Sequence, residues 1–279
     1  MDGVPAYLSS TVALNNGVKM PWLGLGVWQS APGRETEQAV RWALEIGYRH
    51  IDTATVYQNE ADVGKALRSS GIARESVFIT TKVWNTDQGY ASTLKAFDAS
   101  RRKLGVDVVD LYLVHWPIKG RFPETWKALE KLYGDGTVRA IGVSNFLIHH
   151  LEELLGGSSV TPAVNQVEFH PLLVQKELLD FDAARGIRHE AWAPLTRGRI
   201  FANPVLQAIA RRHGRTPAQI ILRWDIQLGV VTIPKSVHRD RIEENSRVFD
   251  FELSQEDVMK LSSLESGERI GWHPDTVTA

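Results

Sequence analysis

Four polar side chains stand out because each one interrupts or directly follows an apolar segment of the chain. They are Asp52 at the end of YRHID, Tyr57 shortly after it, Lys82 inside VFITTKV, and His115 directly after VVDLYLV. A carboxylate, a phenol, an ammonium and an imidazole are groups that transfer protons or tune the groups that do. The pattern therefore indicates acid–base chemistry, provided that the fold brings the four together.

Lys82 is the most informative of the four, because a lysine inside an apolar strand is costly to bury unless a negative charge accompanies it. Asp52, one predicted strand away, is its natural partner. A nearby ammonium favours the phenolate and lowers the pKa of tyrosine from its usual value of about 10. We expect Lys82 to lower the pKa of Tyr57 toward neutrality, so that Tyr57 can donate a proton at working pH.

Each of these residues also has a purely structural interpretation. A tyrosine after a strand often packs, an aspartate at a strand end often forms a turn or caps a helix, and a histidine before Trp-Pro is often structural. Taken singly, a structural role is favoured for every residue except Lys82. Taken together at successive strand ends, a site is favoured.

A second cluster of polar residues occurs in the stretch IPKSVHRDRIEEN. Its basic and hydroxyl residues are Lys235, Ser236, His238, Arg239 and Arg241. A helix N-terminus with basic side chains binds phosphate. The alternative is a solvated helix whose acidic residues Asp240, Glu243 and Glu244 pair with the basic ones. These residues alone favour neither interpretation over the other.

The elements that must position these groups follow a regular alternation. Helix-like segments, many ending in glycine, separate eight short apolar segments: WLGLGV, YRHID, VFITTKV, VVDLYLVHW, VRAIGVSN, AVNQVEF, IRHEAW and VVTIP. Segments that are apolar on both faces are typical of parallel strands. Eight of them predict an α/β protein with one (β/α)8 barrel domain over residues 1–279, whose chemistry lies at the C-terminal strand ends. An open, doubly wound sheet is the alternative.

The N-terminal region contains two glycine signals with different meanings. TVAL and VKM flank Asn15-Asn16-Gly17, which predicts a short β-hairpin before the barrel. Gly24-Leu25-Gly26 begins like a dinucleotide-binding fingerprint, but the third glycine is missing and no helix opens directly afterwards. We therefore do not interpret it as a Rossmann motif.

Composition excludes several classes of protein. The formal net charge is -1, so no basic excess indicates nucleic acid. The chain has no cysteine, which excludes disulfides and thiolate metal sites, and we predict no metal. No signal segment and no membrane-length apolar run is present, so we expect a cytoplasmic protein without a membrane partner.

The chain resembles the aldo-keto reductase superfamily, and most resembles its compact bacterial and protozoan members. The matching segments, in family order, are GYRHIDTATVYQNE, FITTKVWN, DLYLVHWP, AIGVSNF, NQVEFHP and IPKSVHRDRIEEN. The resemblance implies a (β/α)8 barrel that binds NADPH and reduces a small carbonyl substrate. It also implies a catalytic tetrad of Asp52, Tyr57, Lys82 and His115, in which Tyr57 is the general acid and His115 orients the carbonyl oxygen.

The same resemblance assigns residues to the cofactor and the substrate. Ser144, Asn145 and Gln166 would bind the nicotinamide carboxamide, and Trp192 would stack on the ring. Trp28 and Trp116 would line the substrate pocket. The remaining cofactor residues would be Lys235, Ser236 and Arg241 at the 2′-phosphate, Glu244 and Asn245 at the adenine, and Leu195 and Val237.

One segment departs from the family pattern. Compact members commonly read Trp-Ser-Pro-Leu-Gly-Gln-Gly where this chain has Trp192-Ala193-Pro194-Leu195-Thr196-Arg197-Gly198. The serine hydroxyl is absent, and we hypothesise that Arg197 meets the cofactor pyrophosphate instead. Two alternatives stay open: a non-catalytic barrel that binds cofactor as a sensor or auxiliary subunit, and a barrel enzyme for a phosphorylated substrate. We expect a monomer.

Overall fold

The computed structural model describes residues 5–278, and its centre is a sheet of eight parallel strands. In chain order the strands are β1 (Thr11–Ala13), β2 (Lys19–Pro21), β3 (Leu25–Gly26), β4 (His50–Asp52), β5 (Phe78–Val83), β6 (Val109–Val114), β7 (Val138–Ser144), β8 (Val164–Glu168), β9 (Arg188–Trp192) and β10 (Val231–Thr232). Strands β3 to β10 are neighbours in sequential order. The residues of β5 and β6 are buried on both faces, as the continuously apolar segments predicted.

The two ends of this sheet meet and close it into a barrel. Leu23 bridges Thr232, and Gly26 bridges Lys235, both in parallel. The amide of Gly24 donates to the Thr232 carbonyl at 3.0 Å. The predicted barrel is therefore confirmed, and the open-sheet alternative is wrong.

Gly26, the second glycine of Gly24-Leu25-Gly26, lies where the first and last barrel strands approach each other closely. A Cβ atom at this position would lie 2.9 Å from the carbonyl oxygen of Ile233. The seam therefore requires a residue without a side chain. The next helix begins only at Arg34, so these glycines serve close backbone approach rather than a phosphate-binding turn.

Helices cover the outside of the barrel. They are α1 (Arg34–Ile46), α2 (Glu60–Ser69), α3 (Tyr90–Leu104), α4 (Phe122–Gly134), α5 (Ile148–Leu155), α6 (Lys176–Ala184), α7 (Pro204–His213), α8 (Pro217–Gln227), α9 (Arg239–Ser246) and α10 (Gln255–Ser262). Gly47 and Gly105 end α1 and α3 in the left-handed conformation, as their positions predicted. None of the helices within residues 5–278 is long and apolar enough to cross a membrane.

Helices α7 and α10 were not predicted from the sequence. Both nevertheless carry an N-cap signal: the side chain of Asn203 accepts from the amide of Val205, and that of Ser254 accepts from the amide of Asp257. Both helices lie outside the regular alternation of strand and helix, so that alternation does not predict them.

The predicted N-terminal hairpin is confirmed. β1 and β2 pair antiparallel around Gly17, which has φ 84°. The side-chain amide of Asn15 donates to the carbonyl of Pro162, and that of Asn16 to the carbonyl of Arg139. Both acceptors lie at the starts of barrel strands, so the hairpin closes the end of the barrel opposite the C-terminal strand ends.

Candidate functional site

The four predicted catalytic side chains lie together at the C-terminal mouth of the barrel. Asp52 ends β4, and Lys82 lies near the end of β5. Tyr57 ends a short 3-10 helix just after β4, and His115 directly follows β6. Three neighbouring strands therefore hold the set, as the alternation predicted.

Lys82 is the centre of the group. Its fully buried Nζ lies 2.6 Å from Asp52 Oδ1, 3.0 Å from the carbonyl of Thr53 and 3.4 Å from the Tyr57 hydroxyl. Burial is the largest single effect and lowers the pKa of Lys82, but Asp52, Tyr57 and Glu190 together raise it by more, so the net shift is upward. Lys82 therefore stays charged beside the phenol.

The pKa of Tyr57 differs from the sequence-based expectation. Burial raises it and the Lys82 ammonium lowers it, and the net result is a rise to about 12. Lys82 acts in the predicted direction, but desolvation of the phenolate is the larger effect. The phenol therefore keeps its proton at working pH, which is the state a general acid needs.

His115 completes the mouth as a neutral imidazole. Burial, and after it the charge of Lys82, lowers the pKa of His115 well below its usual value. Its ring meets the Tyr57 ring edge-on at 5.8 Å between centroids. A neutral imidazole can donate one N–H to an oxygen held between these two side chains.

Aromatic rings surround this group. Trp116 stacks on His115 with centroids 6.4 Å apart, and Trp84 meets the same ring edge-on at 5.1 Å. Trp28 is 41% exposed beside the mouth. Trp84 was missed by sequence reasoning, although its place one residue beyond β5 was the available signal.

The predicted nicotinamide residues form a second layer on β7, β8 and β9. Ser144 pairs with Gln166 across the sheet, and both are buried. Asn145 adopts a left-handed backbone with φ 64°, and its side-chain amide donates to the His115 carbonyl at 2.9 Å. The indole N–H of Trp192 donates to Asn145 Oδ1 at 2.8 Å. These residues therefore lie beside the tetrad.

The basic cluster joins the same mouth through the barrel seam. Gly26 bridges Asp52 on one side and Lys235 on the other. Within residues 5–278, neither Lys235 nor Arg241 forms an ion pair; of the nearby acidic groups, Glu243 pairs with Arg247. Both cations are exposed, so they are accessible to an anionic ligand.

The other residues predicted for the phosphate and adenine lie around α9. Ser236 is buried and its Oγ accepts the His238 amide at 3.1 Å. Glu244 accepts from the Thr216 hydroxyl at 2.9 Å, and Asn245 is buried. Val237 lines an open groove of about 640 Å³ against α1.

The departing segment after β9 is irregular and crosses to Trp28. Ala193, Thr196 and Arg197 all have positive φ values between 51° and 53°. Leu195 packs on the core. The guanidinium of Arg197 lies 5.0 Å from the Trp28 ring centroid, and it makes no hydrogen bond with any residue described by the structure. Its donors are therefore available to an anion.

A C-terminal tail, residues 265–278, covers one side of the mouth. The buried carboxylate of Glu168 accepts the amides of Ile270 at 2.5 Å and Gly271 at 3.1 Å. Trp272 then reaches Trp116, with centroids 5.9 Å apart. The tail thus extends the aromatic wall, a contact that no local sequence signal indicated.

A histidine cluster anchors the far end of this tail. Asp275 Oδ1 lies 2.9 Å from His149 Nε2 and 3.2 Å from His150 Nε2. The three side chains have the composition of a metal site. However, His150 Nδ1 accepts the Leu147 amide at 3.2 Å, so its Nε2 carries the proton and donates to Asp275. In that tautomer the nitrogen is not available to a metal ion.

Comparison with known proteins places this geometry in a family. The model of the Aldo/keto reductase family matches residues 22–266. A glyoxal reductase of Bacillus subtilis is 56% identical, over 98% of this chain and 99% of its own. A 9,11-endoperoxide prostaglandin H2 reductase of Trypanosoma cruzi is 54% identical, over 95% and 94%.

A solved structure agrees in shape. Gox0644, crystallised as a variant in complex with NADPH, superposes with a TM-score of 0.92 at 42% identity, covering 97% of this chain and 99% of its own. The family model spans most of the barrel, and the sequence identity extends over nearly the whole chain. The chain belongs to the aldo/keto reductase family.

Proposed function

We propose that this protein reduces aldehydes and ketones to alcohols with NADPH, and that Tyr57 is the general acid. The observation that carries the proposal is the position of Lys82, which contacts both Asp52 and the Tyr57 hydroxyl at the barrel mouth. A buried ion pair is an expensive way to stabilise a fold. The buried Lys82–Asp52 pair also contacts the phenol of Tyr57, which lies beside the neutral imidazole of His115. Proton transfer by Tyr57 explains why the pair is present.

Each residue of the tetrad has a separate role in protonating the carbonyl oxygen. Tyr57 gives its proton to the carbonyl oxygen, and Lys82 stabilises the phenolate that remains. Asp52 keeps Lys82 charged. His115 donates its N–H to the same oxygen and holds it within reach of Tyr57. The nicotinamide group, when bound, supplies the hydride.

The donor set fits a phosphorylated dinucleotide. Lys235 and Arg241 present exposed cations without ion pairs in the described chain, beside the start of α9. These groups suit a 2′-phosphate. We assign Ser236 to the same phosphate, Glu244 and Asn245 to the adenine, and Val237 to the groove beside it. Leu195 and Arg197 would lie along the pyrophosphate.

The other end of the cofactor would meet Ser144, Asn145 and Gln166, with Trp192 beside the ring. The indole of Trp192 is already oriented by its hydrogen bond to Asn145. The name of the Bacillus subtilis relative supports a small dicarbonyl as substrate. The wall of Trp28, Trp84 and Trp116 supports a substrate with an apolar part.

The test measures the loss of NADPH absorbance in the presence of methylglyoxal or an aromatic aldehyde. It compares the wild type with Tyr57→Phe. We expect the wild type to turn over and Tyr57→Phe to lose roughly 10²–10⁴-fold in kcat, because it lacks only the acidic hydroxyl. The Kd of NADPH should be the same for both proteins.

Two outcomes would change the proposal. Equal turnover of the wild type with NADH would retain the chemistry and remove the preference for a phosphorylated cofactor. Tight NADPH binding without turnover of any tested carbonyl would support the cofactor-binding sensor instead. A second variant, Arg197→Ala, tests the assignment of Arg197 to the pyrophosphate, and that assignment is wrong if the affinity for NADPH does not change.

A further inference from the structure

The amide of Gln166 is held between the carboxyl groups of Asp52 and Glu190 inside the barrel. Its Nε2 lies 2.8 Å from Asp52 Oδ2 and 2.9 Å from Glu190 Oε2. The carboxylate of Asp52, which is paired with Lys82, can only accept hydrogen bonds, so the end of the amide that faces it must be the nitrogen. Both N–H groups of Gln166 are then used, and its carbonyl oxygen makes no hydrogen bond with any residue from 5 to 278.

Glu190 has no evident structural reason to be an acid. It lies in β9 opposite Gln166, and its side chain is fully buried. Burial, and then the charge of Asp52, raises its pKa to about 8. A buried acid of this kind costs stability that an apolar residue of similar volume would not.

The neighbours of Glu190 do not compensate this cost. His50 Nε2 is 3.7 Å away, and burial lowers the pKa of His50 to about 3, so the imidazole is neutral. Lys82 is already paired with Asp52. Glu190 Oε1 has no hydrogen-bond partner in the described part of the chain. The one hydrogen bond that Glu190 forms there is the one from Gln166.

We propose that Glu190 is a positioning residue, which fixes the amide of Gln166 so that its carbonyl oxygen accepts an N–H from the nicotinamide carboxamide. This inference rests on the proposed function, because it assumes that the carboxamide binds at Gln166. Asp52 alone would satisfy one N–H and leave the other N–H without an acceptor. With Glu190 as the second acceptor, only one orientation satisfies both N–H groups.

The first arm of the test uses the wild type alone. Calorimetric titration compares NADPH with its reduced 3-acetylpyridine analogue, in which a methyl group replaces the amino group of the carboxamide. The analogue cannot donate to Gln166, so we expect about tenfold weaker binding. Equal affinity for the two ligands would overturn the inference.

The second arm uses two variants of matched volume. Glu190→Met removes the acceptor, and Glu190→Gln keeps an acceptor oxygen in the same place. We expect Glu190→Met to bind NADPH about tenfold more weakly and to lose most of the preference over the analogue, whereas Glu190→Gln stays close to the wild type.

A ligand without the nicotinamide separates positioning from general damage. 2′-Phospho-ADP-ribose contains the phosphate and adenine groups, so its Kd should be the same for the wild type and Glu190→Met. If Glu190→Met weakened the binding of both ligands equally, or left NADPH binding unchanged, the inference about Glu190 would be overturned. The proposed function would not be affected by either result. Failure of the wild type to bind either ligand would overturn the proposed function as well.

Discussion

The phenol of Tyr57 is subject to two opposing effects, and their balance depends on a single ammonium. Burial favours the neutral phenol, whereas Lys82 favours the phenolate that forms once the proton has left. The resting site therefore holds the proton, and the partner that stabilises its loss is already in contact. Residue types and spacing indicated the partner correctly, but the extent of burial is a property of the assembled barrel.

Removing Lys82 tests how strongly the buried pair contributes to stability. Lys82→Met leaves Asp52 without its cation, so we expect the free energy of unfolding to fall by about 3–5 kcal/mol. Adding Asp52→Asn to the variant should recover part of that loss, because the uncompensated charge is then absent. Urea unfolding of the three proteins measures both changes. Equal stability of the single and double variants would contradict this account.

Glu190 predicts a pH dependence of stability. Its pKa is about 8 in the folded protein and about 4.3 in an unfolded chain. Between these values the folded state binds the extra proton, so the penalty for burying this acid appears as pH rises and is complete above about 8. Burial and then the charge of Asp52 raise this pKa, whereas the hydrogen bond from Gln166 and the charge of Lys82 lower it; His50, 3.7 Å away, is neutral.

The comparison is between the wild type and Glu190→Gln at pH 5 and pH 8.5. We expect the stability of Glu190→Gln relative to the wild type to be greater at pH 8.5, because only the wild type must ionise a buried acid there. Other titrating groups are common to both proteins and cancel in the difference. A difference that does not change with pH would show that the pKa of Glu190 is the same in the folded and unfolded protein, which would contradict the upward shift.

At the scale of elements, the barrel strands were predictable because burial on both faces leaves a continuous apolar signal. The helices between them were predictable from their glycine ends. The tail was not, because its docking depends on Glu168, a carboxylate about 100 residues earlier in the chain that accepts two of its amides. The sequence of the tail itself does not indicate that Glu168 accepts its amides.

Gly271 tests the role of the tail. A Cβ atom there would lie 2.4 Å from the Trp192 ring and 3.2 Å from Glu168 Oε2. Gly271→Ala must therefore shift the tail and Trp272 with it, and we expect KM for the carbonyl substrate to rise roughly tenfold. Gly157→Ala is the matched control, since its added methyl group meets no atom within 4 Å. An unchanged KM in Gly271→Ala would show that the tail does not shape the pocket.

At the scale of the whole molecule, the site draws on nearly every barrel strand. The tetrad was predicted from three neighbouring strand ends, because those residues are unusual in their local sequence. Glu190 was visible at the end of its strand, but its contact with Gln166 depends on register across the sheet. The register between β8 and β9 is a property of two paired strands, so neither segment predicts it alone.

The seam of the barrel has a consequence for how the protein is made. Leu23 and Thr232 are on the order of 200 residues apart, so their pairing must overcome a large loop-closure entropy. During synthesis β3 leaves the ribosome long before β10 and waits without its second neighbour. Until then β3 (Leu25–Gly26) has an unpaired edge, which another molecule can contact. Solubility during expression should therefore depend on how quickly the last strand arrives.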